Sequence, residues 1–132
     1  MRTFAFIQAA QTLGGAAGRT YSLPNEVAAM VGCIHVVLVT TATAGTRALV
    51  LRILDATNNV LFESQQQGTI AASLTSRQNW GAGMVAGTSG IYILNGMPDM
   101  SVPPTALINL FDVNNIGADD AIATTATLTD PR

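Results

Sequence analysis

The sequence predicts an all-β fold, a single antiparallel sandwich or barrel of about eight strands. Short runs rich in Val, Ile, Thr and Phe recur along the 132 residues, and Gly, Asn, Asp and Pro separate them. Beyond the N-terminal segment, apolar residues do not repeat at helical spacing. These two observations argue against the α-helical and α/β classes.

The stretch from Val31 to Ser64 contains three successive strands. Residues 31–41 are apolar at both sets of alternate positions, which predicts a central strand covered on both sides. Residues 47–54 place three aliphatic side chains on one face, and we expect this face to be buried. Residues 60–64 follow a loop that contains Asp and Asn, which is typical of an antiparallel hairpin.

Later segments continue the pattern. A polar, Gly-rich segment holds the only tryptophan, Trp80, and we interpret it as a loop. A tryptophan in a loop either covers the core or anchors an interface. Further strands are predicted at residues 69–75, 90–95, 105–113 and 121–129.

The first 20 residues are predicted to form a flexible N-terminal arm, and residues 21–132 a single β-sandwich domain. Residues 3–8 alternate like a strand, and a cluster of glycines then interrupts them. Two interpretations are open. The segment is either an arm or edge strand of the chain itself, or an arm that becomes ordered against a neighbouring subunit.

Charged residues make up only 11% of the chain, and the net charge is −2. All six basic residues are arginines, and they are spread along the sequence. The chain therefore lacks the basic cluster that binds nucleic acid, and no apolar run approaches the ~20 residues that cross a bilayer. We expect neither nucleic acid nor membrane as a partner. A surface so poor in charge is typical of a subunit that a protein partner covers.

The sequence shows no catalytic or metal-binding constellation, so we expect no enzyme activity and no cofactor. Cys33 and His35 share a face of the first central strand, but apolar surroundings do not stabilise a thiolate. We interpret Cys33 as a buried, inert thiol and His35 as a hydrogen-bonded core or interface residue. One Cys and one His cannot complete a zinc shell. The Asp and Asn residues at 112–120 favour a turn over a calcium site, because EF-hand spacing is absent.

One segment resembles a known family. From His35 to Asp55 the chain reads HVVLVTTATAGTRALVLRILD, a hydrophobic strand, a Thr-rich turn that ends in Gly45-Thr46-Arg47, and a second strand that ends in Asp. The pattern is similar to that of small jelly-roll-like virion proteins of tailed bacteriophages, the capsid decoration or cement proteins. The resemblance covers about Val31 to Asp120.

The resemblance implies a structural virion subunit, synthesised in the host cytoplasm, that binds the outside of the phage head and bridges neighbouring major capsid proteins. It also implies a homotrimer. An alternative is a carbohydrate-binding module of a head fibre or tail, because jelly rolls also form lectin domains. Arginine and aromatic side chains commonly anchor interfaces, and the candidates here are Arg2, Phe4, Phe6, Arg19, Tyr21, Arg47, Arg77 and Trp80.

Overall fold

The computed structural model describes residues 2–89 and 91–130. Gly90, where one predicted strand begins, lies outside the described residues, as do Met1, Pro131 and Arg132. None of the described segments is a helix of the length and apolarity that crosses a membrane. In the described residues, eleven strands form two sheets that pack face to face: β1 Arg2–Thr12, β2 Arg19–Ser22, β3 Ala29–Val39, β4 Leu49–Leu54, β5 Val60–Gln65, β6 Thr75–Ala82, β7 Gly87–Ser89, β8 Tyr92–Met97, β9 Met100–Val102, β10 Leu107–Asp112 and β11 Ala121–Asp130.

The strand order is that of a jelly roll. The larger sheet has the order β1-β11-β3-β6-β8-β7, with β9 also paired to β3, and the smaller sheet has the order β2-β10-β4-β5. When β7, β8 and β9 are set aside, the remaining strands form two four-stranded sheets of the double Greek-key type. The predicted fold class is therefore confirmed. The three additional strands extend the larger sheet, and β8 pairs with β6 in parallel.

The hydrophobic core lies between the two sheets. Leu49, Leu51 and Ile53 of β4 are fully buried there, as the alternation predicted. They belong to the same cluster of buried side chains as Ile34 and Leu38 of β3. Burial of each such side chain stabilises the fold by about 1.5–3 kcal/mol relative to exposure, so this contact between the sheets is the main source of stability.

The structure differs from the prediction between residues 69 and 82. The strand predicted at 69–75 is wrong: Ile70 forms only an isolated bridge, and Ser73 has a positive φ of 57° that interrupts extended backbone. The segment around Trp80, predicted to be a loop, is strand β6. The side chains of β6 that point into the core alternate regularly along the strand. Three of them are fully buried, and two of these three are polar, Ser76 and Gln78; the third is Trp80. Hydrophobic patterning could not reveal a strand whose buried side chains are largely polar.

Buried amide side chains next to Trp80 link the sheets and explain the polar inward residues. The Gln66 Oε1 atom accepts hydrogen bonds from the Leu49 backbone N–H at 2.9 Å and from Gln78 Nε2 at 3.0 Å. Asn95 Oδ1 accepts one from the Gln67 backbone N–H at 2.8 Å. Because buried polar groups are costly unless they are hydrogen-bonded, these bonds let Gln78 of β6 and Asn95 of β8 occupy the core side.

Residues 2–12 form an edge strand, which corrects the prediction of a flexible arm over this part of the chain. β1 pairs antiparallel with β11 from Arg2↔Asp130 to Gln8↔Thr124, and a bulge separates this ladder from Gln11↔Ile122. The edge-strand interpretation of the N-terminal segment is therefore the one that the structure shows. The division of the chain into units 1–20 and 21–132 stays a prediction.

The chain crosses from the larger to the smaller sheet between β1 and β2. Arg19 holds the two ends of this crossing together, since its Nε donates to the Thr12 carbonyl oxygen at 2.5 Å and its Nη2 to Thr12 Oγ1 at 3.0 Å. Gly18 has a φ of 67°, and a Cβ atom there would collide with the Leu110 carbonyl oxygen. The crossing therefore requires glycine at this position.

The hairpin predicted at residues 55–59 is confirmed and joins β4 to β5. Asp55 Oδ1 accepts hydrogen bonds from the backbone N–H groups of Thr57 and Asn59, and Oδ2 accepts one from Asn59 Nδ2, all at 2.9 Å. These bonds, above all that from the Asn59 side chain, lower the pKa of Asp55 from 3.8 to about 2. Across the hairpin, Arg52 and Glu63 form an ion pair at 3.2 Å.

We expect Asp55 to stabilise the fold at neutral pH and to lose this effect as the pH falls from 3.8 towards 2. A carboxyl whose pKa is lower in the folded than in the unfolded chain favours folding while it is ionised, and the advantage disappears once both states are protonated. The urea midpoints of wild type and Asp55→Asn should therefore differ at about pH 6, and most of this difference should be gone at pH 2. An equal difference at both pH values would contradict this.

Candidate functional site: the open face of the larger sheet

The larger sheet has one face on the core and one face that is uncovered over most of its area; at one end of this second face, Met84 of the loop after β6 packs over Gly81. We call the second the open face. Adjacent strands place its side chains at alternate positions and in register, so they form one continuous surface. Its members are Thr3, Ala5 and Ile7 of β1; Ala121, Ala123, Thr125, Thr127 and Thr129 of β11; Met30, Cys33, His35, Val37 and Val39 of β3; Thr75, Arg77 and Asn79 of β6; and Tyr92 and Leu94 of β8.

The strand β3 shows why the open face was not predicted. Its two apolar sets suggested a strand covered on both sides, and this is wrong. Val36 and Leu38 are fully buried against the smaller sheet, whereas Val37 is half-buried and Val39 is 45% exposed. A strand with two apolar faces needs two covering layers to bury both, and the jelly roll supplies only one.

The open face is broad and, apart from Arg77, uncharged. Strand β11 contributes only alanines and threonines to it, so the middle of the surface is flat. Five large hydrophobic side chains stand exposed around this flat centre. Exposed hydrophobic side chains gathered on one face of a soluble domain mark an interaction site. The exposed fractions are 72% for Ile7, 59% for Tyr92, 45% for Val39, 44% for Leu94 and 42% for Met30.

Among the described residues, Arg77 is the only charged side chain on the open face. It stands between Val37 and Tyr92 in the ladder of β3, β6 and β8. In the described part of the chain its guanidinium has neither an ion-pair nor a hydrogen-bond partner. An unpaired guanidinium within an apolar surface suits a partner that presents a carboxylate or a row of carbonyl oxygens.

Cys33, His35 and Asn79 form a small polar group on the open face. The prediction that Cys33 lies buried in the core is wrong, since both Cys33 and His35 are half-buried on the outer side of β3. Asn79 Oδ1 accepts the Cys33 S–H at 3.6 Å and lies 2.9 Å from His35 Nδ1. Burial raises the pKa of the Cys33 thiol.

This arrangement is not that of an activated nucleophile. A catalytic cysteine needs its thiol directed at a base and its pKa lowered. Here the thiol donates to an amide oxygen instead of the imidazole, and the pKa shift has the opposite sign. The three side chains therefore satisfy one another's hydrogen bonds on the open face.

The residues of the resembling motif, Thr41 to Arg47, are structural in this chain. Arg47 is fully buried and its Nε donates to Asp120 Oδ2 at 2.9 Å, while its Nη1 donates to the Gly45 carbonyl oxygen at 2.8 Å. Asp120 Oδ1 in turn accepts the Thr41 backbone N–H at 2.9 Å. The ion pair thus fixes the turn after β3 to the loop before β11.

The oxygen-rich loop at residues 112–120 is a turn, as the sequence favoured. The Asp112 carboxylate accepts the backbone N–H groups of Ala48, Asn114, Ile116 and Gly117 at 2.9–3.1 Å. Its oxygens therefore organise the loop. Among the residues that the structure describes, no group of three or more His, Cys, Asp or Glu side chains is placed to hold a metal ion.

Of the eight predicted interface residues, three are buried and cannot contact a partner. Tyr21 is 5% exposed, and Arg47 and Trp80 are fully buried. Arg19 closes the crossing between the sheets. Only Arg77 lies on the open face. The remaining three lie together at the free edge of β1: Arg2, Phe4 and Phe6.

The predictions missed the aliphatic members of the open face, Ile7, Val39 and Leu94 among them. The interface candidates were chosen by residue type, as arginines and aromatic residues. The open face, however, is built mainly from aliphatic and small side chains. The Thr-Ala alternation of β11 was the available signal, because it indicates one face that is not packed in the core.

Comparisons with known proteins find a low similarity between this chain and proteins in solved structures of virus particles. No family model matches the sequence, and no curated protein matches it. Among solved structures, the chain is similar to a protein chain in the structure of the infectious bursal disease virus Gx strain. The sequence identity is 9% and the TM-score is 0.49, and the match covers 99% of this chain and 34% of the viral chain.

Two further structures of the same virus are similar to the chain. The T13 viral particle matches at 9% identity and a TM-score of 0.44, over 97% of this chain and 31% of that one. The VP2 subviral particle matches at 8% identity and a TM-score of 0.36, over 97% and 32%. The chain thus spans about a third of the length of each of these proteins. Likeness at these TM-scores does not indicate a function.

Proposed function

We propose that this chain is a structural protein of a virus particle, a decoration or cement subunit that binds the outside of the capsid through its open face. The observation that carries the proposal is the open face itself, a broad surface with five exposed hydrophobic side chains and a single charge. The double Greek-key topology supports it, because capsid subunits are among the proteins that use jelly rolls. The resemblance of residues 35–55 to phage decoration proteins supports it as well.

The size of the open face suits a stable protein interface. Five strands of six to eleven residues contribute its side chains, and with about 4.8 Å between strands and about 3.3 Å per residue they span about 730 Å². Each partner in a standard protein interface contributes about 800 Å². The face therefore has the area that a specific partner needs, without help from another surface.

The proposed partner is the major capsid protein, and the proposed location is the virion, reached after synthesis in the host cytoplasm. Because the subunit binds the assembled lattice and not free capsid protein, each contact adds to the stability of the shell by mass action. The homotrimer that the resemblance implies belongs to the same proposal, as a group of three subunits that forms on the shell and not in free solution. It would present three open faces to neighbouring capsid proteins.

The proposal predicts that Leu94→Lys weakens capsid binding tenfold or more. Loss of one buried leucine side chain from an interface costs about 1.5–3 kcal/mol, and tenfold in affinity is about 1.4 kcal/mol. Binding is measured by co-sedimentation with shells that lack this protein, and by the temperature at which those shells open. Wild type should sediment with the shells and raise that temperature.

Val60→Lys is the matched control, because Val60 is 52% exposed but belongs to the smaller sheet. It should bind like wild type. Equal binding by Leu94→Lys and Val60→Lys would show that the open face is not the contact. A wild-type chain without affinity for shells would refute the decoration role.

The carbohydrate-binding alternative depends on Tyr92. Sugar sites commonly use exposed aromatic rings, and Tyr92 is the only exposed aromatic side chain among the described residues. It borders a shallow apolar groove with Leu94, Gly87 and Thr88. A single ring makes a weaker case than the whole open face. A glycan-array signal that Tyr92→Ala abolishes would favour the alternative.

A further inference from the structure

The free edge of β1 differs from the other free edges of the two sheets. Edge strands expose unpaired backbone groups, and proteins protect them by short length, charge, proline or bulges. In the described chain, β7 and β9 have three residues and β2 has four, while β5 has six and carries Glu63. β1 has eleven residues, with neither charge nor proline from Thr3 to Thr12.

A bulge protects only the second half of β1. It lies between Gln8 and Gln11, so the backbone from Arg2 to Gln8 runs as a regular ladder along β11. The opposite edge of this regular segment has no partner strand in the described chain. Seven consecutive residues thus present an unprotected edge.

Apolar side chains stand exposed on both sides of this edge. Ile7 projects from the open face and is 72% exposed. On the core side, Phe4 and Phe6 are only half-buried at the border of the core. The Arg2 guanidinium lies over the Phe4 ring at 4.9 Å, and the Phe6 and Tyr21 rings are 6.2 Å apart. A strand added at this edge would cover apolar surface above and below the sheet.

We propose that β1 pairs with β1 of a second copy of this chain, antiparallel and across a two-fold axis perpendicular to the sheet. The two larger sheets then continue as one. A two-fold contact uses the same patch on both copies, and an antiparallel strand pair has that symmetry. The segment suits its own copy, because no like charges face each other within Thr3–Gln8.

The position of the axis follows from the pleat. The two-fold axis leaves the core faces of both larger sheets on the same side of the combined sheet. Each residue of β1 must therefore pair with a residue of the second copy that lies on the same face. An axis at Ala5 is the placement that pairs every residue from Arg2 to Gln8. It puts each Arg2 opposite Gln8 of the second copy, which keeps the two guanidinium groups at opposite ends. It also puts Phe4 opposite Phe6 and Thr3 opposite Ile7.

This contact is independent of capsid binding. With the axis perpendicular to the sheet, both open faces point the same way and stay uncovered. The paired chains then present one surface of twice the area. Because a two-fold contact uses the same surface on both copies, it produces a dimer and does not by itself produce a trimeric ring.

The test is the mass of the free protein in solution, without capsids. By sedimentation velocity over a range of concentrations, wild type should form a dimer, and Ile7→Lys should raise its dissociation constant at least tenfold. A lysine on an edge strand is one of the devices that prevent pairing. Val85→Lys is the control, because Val85 is 84% exposed in the loop before β7, and it should behave like wild type.

The register is tested by cross-linking. In a Cys33→Ser background, Ala5→Cys should form a disulfide-linked dimer on oxidation, because directly opposite Cα atoms in an antiparallel pair are about 4.5–5.5 Å apart, within disulfide range. Val85→Cys should not. A monomeric wild type, an oligomer that Ile7→Lys leaves intact, or a dimer that Ala5→Cys fails to cross-link would each overturn the proposal.

Discussion

Asp120→Ala is expected to lower the free energy of unfolding by about 3–5 kcal/mol, because it leaves a buried guanidinium without its counter-charge. Arg47 and Asp120 are both fully buried and 2.9 Å apart. The same substitution removes the acceptor of the Thr41 backbone N–H. Domains of this size are stable by about 5–15 kcal/mol, so the loss is a large share of the total. Urea unfolding followed by circular dichroism measures it.

Two variants make this test specific. Glu63→Ala breaks an ion pair whose side chains are 38% and 47% exposed, and exposed pairs contribute about 0–1 kcal/mol. The double variant Arg47→Met, Asp120→Ala removes both buried charges and should be more stable than Asp120→Ala alone. If Asp120→Ala loses no more stability than Glu63→Ala, the buried pair does not hold the turn as described.

Trp80→Ala is expected to destabilise the fold by about 3–5 kcal/mol, the range for removing a large aromatic side chain from a core. Trp80 is fully buried among the largest side chains of the core. Trp80→Phe should lose much less. It keeps an aromatic ring, and it removes an indole N–H that has no hydrogen-bond partner within the described chain.

Leu74→Ala serves as the control for the tryptophan variants, because Leu74 is 40% exposed in the loop before β6. Its effect should stay within about 1 kcal/mol. Circular dichroism is the suitable signal, since Trp80 is the only tryptophan and its fluorescence disappears in both variants. A small loss in Trp80→Ala would mean that the side chain covers the core from outside, as a loop residue would.

The sequence predicted the elements whose buried side chains are apolar. In β4 the alternation of Leu49, Leu51 and Ile53 identified the core face correctly. The hairpin at 55–59 followed from its Asp and Asn residues, which hydrogen-bond locally. β10 and β11 were recognised within two residues of their bounds. In each case the signal is local, because neighbouring residues decide both the alternation and the turn.

Strand β6 and Arg47 were misjudged because their surroundings are distant in sequence. The inward Gln78 of β6 is satisfied by Gln66, which directly follows β5. Arg47 has the residue type of an interface anchor, but Asp120, 73 positions later, draws it into the interior. The residues adjacent in sequence to a polar side chain do not indicate whether the folded protein supplies it with a buried hydrogen-bond or ion-pair partner.

By itself the sequence determined an all-β chain of jelly-roll size, with little charge and few aromatic residues. Only the tertiary structure decided which of two apolar faces of β3 meets a second layer and which stays open. It also decided that the N-terminal segment is an unprotected edge of the sheet. The physical reason is that alternation specifies two faces of a strand, whereas their burial depends on how many layers the whole chain can supply.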